Sequence, residues 1–302
     1  MEFEIVQVNK INLGDLARLY TAVYGIDIAV DFFIRKYDTA FTGVENVGFI
    51  AYDSHGKPVA YYGVIPCFIR HGEEIILSAQ SGDTMTHPKH RYKGLFVKLS
   101  NMTFDLCRQI GIRLVFGFPN QNSYPAMIKT LGWIETEKMS RFSIPVNVSH
   151  KLDFFRNRKQ HRVKVLNELL SSQSNLRNSV IEDGYSGVYR DDAYFNYKNY
   201  TKTCVVKIGS GDVWIKIGRE LIIGDISLNG TDSNEFFSKI ISLADQLHLN
   251  KISFQVSKGC RLHDLFASRY NAFPSFPVLF KDFESGLPLD KIKFTFADID
   301  IF

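Results

Sequence analysis

Apolar and polar positions change period several times along the 302-residue chain. Residues 3–8 alternate, as a half-buried strand does. Leu13, Leu16, Leu19, Tyr20 and Val23 then recur at helical spacing behind Asn12, a residue type suited to an N-cap. A short helix fits Val30 to Tyr37. Val47–Tyr52 and Pro58–Arg70 read as strands joined by the turn-forming Asp53-Ser54-His55-Gly56, and His71-Gly72 turns the second into Glu74–Thr86. From Tyr92 to Ile110 the period lengthens, and Leu95, Leu99, Met102, Leu106 and Ile110 form one stripe that Gly111 ends. Arg113–Phe118 returns to a strand, Asn122–Thr130 is helical up to Leu131-Gly132, and Trp133–Val146 is a further strand.

After a basic, then polar, stretch the order partly returns. Lys151, Arg156, Arg158, Lys159, Arg162 and Lys164 precede Ser171-Ser172-Gln173-Ser174-Asn175. A helix running into a loop is the plain interpretation, and a basic face for a partner or membrane is the sharper one. Beyond it, Asp31–Thr39 is echoed by Ala193–Thr201. Strands at Val205–Ile208, Val213–Ile217 and Leu221–Leu228 lead to a helix from Ser233 to Leu247. A strand at Lys251–Val256, a helix at Leu262–Ser268 and a strand near Phe276–Lys281 follow. The terminal run Lys293–Phe302 alternates like another strand, its acids facing an acceptor cleft or, as the plain expectation, solvent. One topology stated twice predicts duplication. The expected division is residues 1–149, a connector at 150–183, and a second copy at 184–302, each an α/β domain with a mixed sheet.

The size agrees, since a single domain commonly runs to roughly 100–150 residues. Composition is that of a globular chain, 45% hydrophobic and 23% charged, which excludes disorder. The net charge of +4 is too small to indicate nucleic acid but suits a small anionic ligand. Cys67, Cys107, Cys204 and Cys260 lie far apart, so neither a metal site nor a disulfide framework is expected. With no leader pattern and no long apolar window, a cytoplasmic protein is the expectation.

Chemistry concentrates in Asp83-Thr84-Met85-Thr86-His87-Pro88-Lys89-His90-Arg91-Tyr92-Lys93-Gly94-Leu95-Phe96. A strand ends in a basic turn and an amphipathic helix starts at once. First-turn N–H groups of a helix lack internal partners and carry partial positive charge, which makes an anion site. Gly94 lets backbone approach a phosphate, and Arg91 and Lys93 add full charges. A solvated basic helix start would look the same in isolation.

In context, the run Arg91-Tyr92-Lys93-Gly94-Leu95-Phe96 resembles the Q/R-x-x-G-x-G/A signature of the GCN5-related N-acetyltransferase (GNAT) family. Pro88 stands three residues before it, as in that family. Asn120 with Ser123, and Leu131-Gly132-Trp133, match its later landmarks, so the resemblance covers residues 3–146. It implies a sheet splayed between the fourth and fifth strands with acyl-CoA in the opening and no metal. Met85 and Thr86 would pair with the pantetheine, backbone from Arg91 through Tyr92, Lys93, Gly94 and Leu95 to Phe96 would hold the pyrophosphate, and Asn120 would reach the pantetheine unless it caps a turn. Phe96 departs from the family's small residue, and its side chain is expected to turn into the core. The family's usual tyrosine acid falls at Ile128; Tyr124, one turn earlier, either substitutes or simply packs. Asp83 is the carboxylate nearest the expected acyl group, a base or a structural residue, with His87 close by.

The resemblance implies an acyl-CoA-dependent N-acyltransferase, acetyl-CoA the expected donor and a small-molecule amine, an amino sugar by analogy, the acceptor. A FemABX-like aminoacyl-tRNA-dependent transferase and a non-catalytic CoA-binding module are the alternatives. The second half has no such signature: Asp225-Ile226-Ser227-Leu228-Asn229-Gly230-Thr231-Asp232-Ser233 puts acids where a phosphate would dock, so a degenerate copy is expected there.

Overall fold

The alternating segments become strands and the long-period segments become helices in two units of a computed structural model describing residues 2–148, 164–165, 167 and 176–302. Unit 1 comprises Met1–Thr136 with Pro277–Leu289, and unit 2 comprises Glu137–Phe276 with Asp290–Phe302. The basic cluster Lys151, Arg156, Arg158, Lys159 and Arg162 lies outside the described residues.

Unit 1 runs β1 (Glu4–Gln7), α1 (Leu13–Tyr24), α2 (Val30–Lys36), β2 (Val47–Tyr52), β3 (Pro58–His71), β4 (Glu74–Thr86), α3 (Leu95–Gln109), β5 (Leu114–Gly117) and α4 (Tyr124–Lys129). Strands β1 to β4 pair antiparallel in chain order. β4 then pairs parallel with β5, through Ser78↔Leu114 to Ser81↔Gly117. The far side of β5 is closed by Leu279–Asp282, antiparallel, from near the chain's end. Helix α3 buries Leu95, Leu99, Thr103, Phe104 and Cys107 in a core shared with Val47, Tyr62, Val64, Val115, Met127, Trp133 and Leu279. Each large side chain buried there contributes roughly 1.5–3 kcal/mol.

Three local expectations shift for identifiable reasons. Helix α3 starts at Leu95, not Tyr92, because Tyr92 (φ +61°) and Gly94 (φ +73°) both take left-handed backbone. The Asn12 side chain accepts from the Asn9 N–H (2.8 Å) and leaves α1 without a side-chain cap. Lys293–Phe302 is not a strand. Thr295 and Asp298 cap each other's backbone around a 3-10 turn at Phe296–Asp298, and one bridge joins Thr295 to Val256.

Unit 2 holds β6 (Ile134–Pro145) through its later residues, α5 (Ser179–Glu182), β7 (Gly187–Val188), α6 (Asp192–Lys198), β8 (Thr203–Ile208), β9 (Gly211–Ile217), β10 (Leu221–Ser227), α7 (Ser233–Gln246), β11 (Lys251–Val256) and α8 (Arg261–Ala267), before β12 (Phe273–Asp282). β8, β9 and β10 are antiparallel, β10 and β11 parallel, and β11 pairs antiparallel with Ser140–Pro145 of β6. That connectivity repeats β2, β3, β4 and β5 of unit 1, with α7 in the place of α3 and α8 in that of α4. Its core gathers Phe142, Ile215, Ile223, Phe236, Ile240, Phe254 and Phe266.

Parallel pairing of β10 with β11 stops at Ile223↔Phe254, and the terminal residues pack beyond it. The Ser257 N–H donates to the Phe294 carbonyl (2.9 Å), and the fully buried Phe302 ring occupies the space where a side chain at Gly224 would stand. Arg190, itself buried, binds Asp225 (2.5 Å) and Asp298 (2.7 Å). Two expectations are corrected here. Asp298 does not face solvent, because Arg190 needs it as a counter-charge. Asp225 and Asp232 do not face a phosphate position: Asp225 is buried on Arg190, and Asp232 caps α7 through the N–H groups of Asn234 and Glu235.

Candidate active site

The outer half of β4 leaves β5 before it leaves β3. Past Ser81↔Gly117 no β5 partner continues, while β3 still pairs Tyr61↔Met85 and Ala60↔Thr86. Between Gly63↔Gly82 and Tyr61↔Met85 the register slips by one residue, so Asp83 and Thr84 together oppose Tyr62. This is a β-bulge, which bends a strand and re-aims its side chains. Asp83 sits in it with φ +47°, a conformation aspartate tolerates better than most residues. The opening thus presents the backbone of Gly82 to Thr86, with Met85 buried and Thr86 half-buried at its far end.

The basic turn follows directly. The His87 N–H donates to the Val59 carbonyl (2.8 Å), and Pro88–His90 form a 3-10 turn in which His87 Nδ1 accepts from the Lys89 N–H (3.2 Å). Arg91 Nε reaches back to the Thr86 carbonyl (3.4 Å). Tyr92 is fully exposed, and Lys93 lies over the Phe3 ring at 5.7 Å. Gly94 then caps α3 with no heavy atom within 4 Å of the place where its side chain would be. No acidic residue stands in the first turn of α3, so the N–H groups of Leu95, Phe96 and Val97 keep their positive potential. Phe96 turns inward as expected, its ring edge-on to Tyr62 at 5.8 Å. Burial, then the Lys93 and His87 charges, lower the His90 pKa, so that ring is neutral at pH 7 while its buried Nδ1 has no hydrogen-bond partner among the described residues.

Asp83 is held from one side. Lys36, at the end of α2 and 2% exposed, places Nζ 2.8 Å from Asp83 Oδ2. The Tyr37 hydroxyl donates to the same oxygen (3.0 Å). Burial, then the Asp83 charge, raise the Tyr37 pKa well above the ordinary phenol value, and burial chiefly does the same at Tyr61, whose ring meets Tyr37 edge-on at 5.9 Å. Tyr24 on α1, raised by burial and then by Asp83, completes the ring of phenols. All of them stay protonated at neutral pH. The sequence placed Asp83 but passed over Lys36, Tyr37 and Tyr61. The available signal was a lysine three residues after Phe33, on the apolar side of α2, recurring as Lys198 after Phe195 in the echoing segment.

The other two candidates are committed locally. Asn120 Oδ1 accepts from the N–H groups of Asn122 (2.9 Å) and Ser123 (3.2 Å), fixing the turn into α4. The Tyr124 hydroxyl donates to Glu135, which raises the phenol's pKa. Among the described residues no group of three or more His, Cys, Asp or Glu could hold a metal, and no helix is long and apolar enough to cross a membrane.

A sheet opened between a bulged fourth strand and the fifth, with a basic, glycine-capped helix start beside the opening, coincides with what a family model finds: residues 33–135 match the acetyltransferase (GNAT) domain. Over those residues the chain is similar to a GNAT acetyltransferase domain. Solved structures extend the likeness of fold across both units. A GCN5-related N-acetyltransferase from Kribbella flavida aligns over 96% of this chain and 72% of its own, with TM-score 0.61 and 12% identity. One from Anabaena variabilis aligns over 94% and 73%, with TM-score 0.58 and 13% identity. A conserved protein of unknown function from Enterococcus faecalis V583, described as a probable N-acyltransferase, aligns over 94% and 73%, with TM-score 0.63 and 12% identity. No curated protein matches this chain in sequence. The GNAT match ends inside unit 1, at the start of β6.

Proposed function

We propose that unit 1 binds acyl-CoA, acetyl-CoA in preference, and transfers the acyl group to a primary amine on a small molecule. The observation that carries this reading is the coincidence of an unpaired β4 edge with the α3 N-terminus at Gly94. Backbone of Met85 and Thr86 would hold the pantetheine. The α3 N–H groups, with Arg91 and Lys93, would hold the pyrophosphate, each charged hydrogen bond worth about 1.5–3 kcal/mol. Gly94 is open enough for that approach, and the unpartnered His90 Nδ1 lies in the same loop. Bound there, acyl-CoA supplies an activated acyl carbon on a thioester.

The chain's own task is then to bring a neutral amine to that carbon. An amine of pKa near 10.4 costs about 4–5 kcal/mol to deprotonate at pH 7, and one near 8 only about 1.4 kcal/mol. Asp83, two residues beyond the last β4–β5 pair, is the group we place against the acceptor. Tyr124, whose hydroxyl is already given to Glu135, serves the wall of the core more than the departing thiolate, and Asn120 serves its turn. An amino sugar, with an amine near the lower of those pKa values, is the acceptor we favour.

Unit 2 is proposed as a degenerate copy. It repeats the strand order and the bulge, but the terminal residues fill its opening and it has no basic turn before α7. The test is thiol release from acetyl-CoA with glucosamine, free lysine and a lysine-containing peptide as acceptors. Release above hydrolysis with at least one amine is expected, fastest with glucosamine. CoA binding with no release on any amine would favour a non-catalytic CoA-binding module instead.

A further inference from the structure

A buried lysine is costly unless a counter-charge meets it. Lys36 meets Asp83, and the manner of the pairing is informative. Both the Lys36 ammonium and the Tyr37 hydroxyl fall on Oδ2, and Oδ1 takes no hydrogen bond among the described residues. Oδ1 therefore has its accepting capacity intact, on a side chain 14% exposed, at the bulge where β4 has parted from β5.

Unit 2 supplies an internal comparison. Its bulge falls between Ile223 and Asp225, so Asp225 stands two residues past the last parallel pair, as Asp83 does in unit 1. The equivalent lysine, Lys198, is equally buried and donates to the Ile299 carbonyl (2.8 Å) of the terminal segment. Asp225 has both oxygens occupied: Oδ1 by the Ser179 hydroxyl and the Ile226 N–H, Oδ2 by Arg190 and the Ser179 N–H. Where the opening is filled, the carboxylate is saturated. Where it is not, one carboxylate oxygen is left.

We propose that Lys36 is a positioning residue: with Tyr37 it locks Asp83 through Oδ2, so that Oδ1 is turned to the acceptor amine and takes a proton from it. This rests on the acyltransfer reading of the site. An arriving ammonium gives one proton to Oδ1. The freed nitrogen lone pair forms the C–N bond as the thioester C–S bond breaks, the sulfur leaves with the bonding pair, and the second nitrogen proton passes to it. Asp83 returns its proton to solvent. The groups that face Asp83 are Lys36 from α2, Tyr37 just after it, Tyr61 from β3 and Tyr24 from α1, and the Arg91 charge acts on Tyr24. Lys36 and Arg91 are the cations in that set. Removing Lys36 therefore takes away the ammonium that fixes Oδ2 and leaves the carboxylate free to turn away from the acceptor.

Two readouts on the full chain test this. In thiol release, Lys36→Met is expected to lower kcat at least tenfold while KM for acetyl-CoA changes less than twofold. Lys36→Arg is expected to restore kcat most of the way. In protein carrying carbon-13 at aspartate carboxyls, with Asp83 assigned by Asp83→Asn, its resonance is expected to shift when glucosamine is added to the wild type and to stay in place in Lys36→Met. Should Lys36→Met fail to fold, Tyr37→Phe is expected to give a smaller fall in kcat and a smaller resonance response. An unchanged kcat and an unchanged resonance response in a folded variant overturn the proposal. If the wild type releases no thiol on any amine, the acyltransfer reading falls, and the Asp83 resonance and its response to glucosamine decide the proposal alone.

Discussion

Lys36 ends α2 and Lys198 ends α6, each three residues after a buried phenylalanine, and protein solvates them in different ways. Lys36 has a carboxylate, whereas Lys198 has a backbone carbonyl, and burial lowers its pKa to about 7. An unfolded lysine titrates near 10.4, so between about pH 7 and pH 10 the unfolded chain binds the extra proton and folding stability rises with pH. Urea unfolding at pH 7 and pH 9.5 is expected to show that rise, on the order of a few kcal/mol by the cost per pKa unit. Lys198→Met is expected to flatten it; an unchanged slope would mean that Lys198 stays charged in the fold. At Tyr124 the expectation is the reverse of a catalytic one. Its hydroxyl is bound by Glu135 and its pKa is raised, so Tyr124→Phe should leave kcat of thiol release within about threefold, general acid catalysis being worth about 100-fold or more. A drop of that larger size would restore Tyr124 as the acid.

At the scale of elements, most of unit 1 was legible because its segments are long and its turns punctuated. Glu74–Thr86 and Val47–Tyr52 appear as read, since alternation and flanking glycines suffice to mark a strand. What alternation does not carry is the bulge at Asp83, because one extra residue changes the facing of a strand without changing its composition. Nor does it reveal which strand closes which sheet: β6 and β12 read alike, and only pairing shows β12 on β5 and β6 on β11. The terminal segment departs from a strand for a further reason. Its alternation is real, but Thr295 and Asp298 satisfy backbone N–H groups locally, and this competes with a ladder. In the site, the Arg91–Gly94 turn was legible only in context, because Pro88 before it and Asn120 and Leu131-Gly132-Trp133 after it stand at the spacing of the GNAT landmarks. Lys36 was not, since a lysine in an amphipathic helix ordinarily faces water. The terminal segment also yields a stability prediction. Phe302 is fully buried against Gly224 and edge-on to Trp214 at 5.5 Å, so Phe302→Ala should cost about 3–5 kcal/mol in urea unfolding of the full chain. A loss below about 1 kcal/mol would show the segment to be a loose occupant.

For the whole molecule, the two units share one plan of strands and differ in what stands at the opening beside the long helix. In unit 1 there is a basic turn, a left-handed glycine and a carboxylate with one oxygen that takes no hydrogen bond among the described residues. In unit 2 there is the chain's own end and a saturated aspartate. The proposed function thus needs a single donor site per chain, at Arg91 and Gly94. Isothermal titration of the full chain with acetyl-CoA measures both at once. One equivalent is expected to bind to the wild type, with at least tenfold weaker affinity in Arg91→Glu and no detectable binding when Gly94→Trp is added. Two equivalents, no binding to the wild type, or equal affinity in the doubly substituted chain would contradict it.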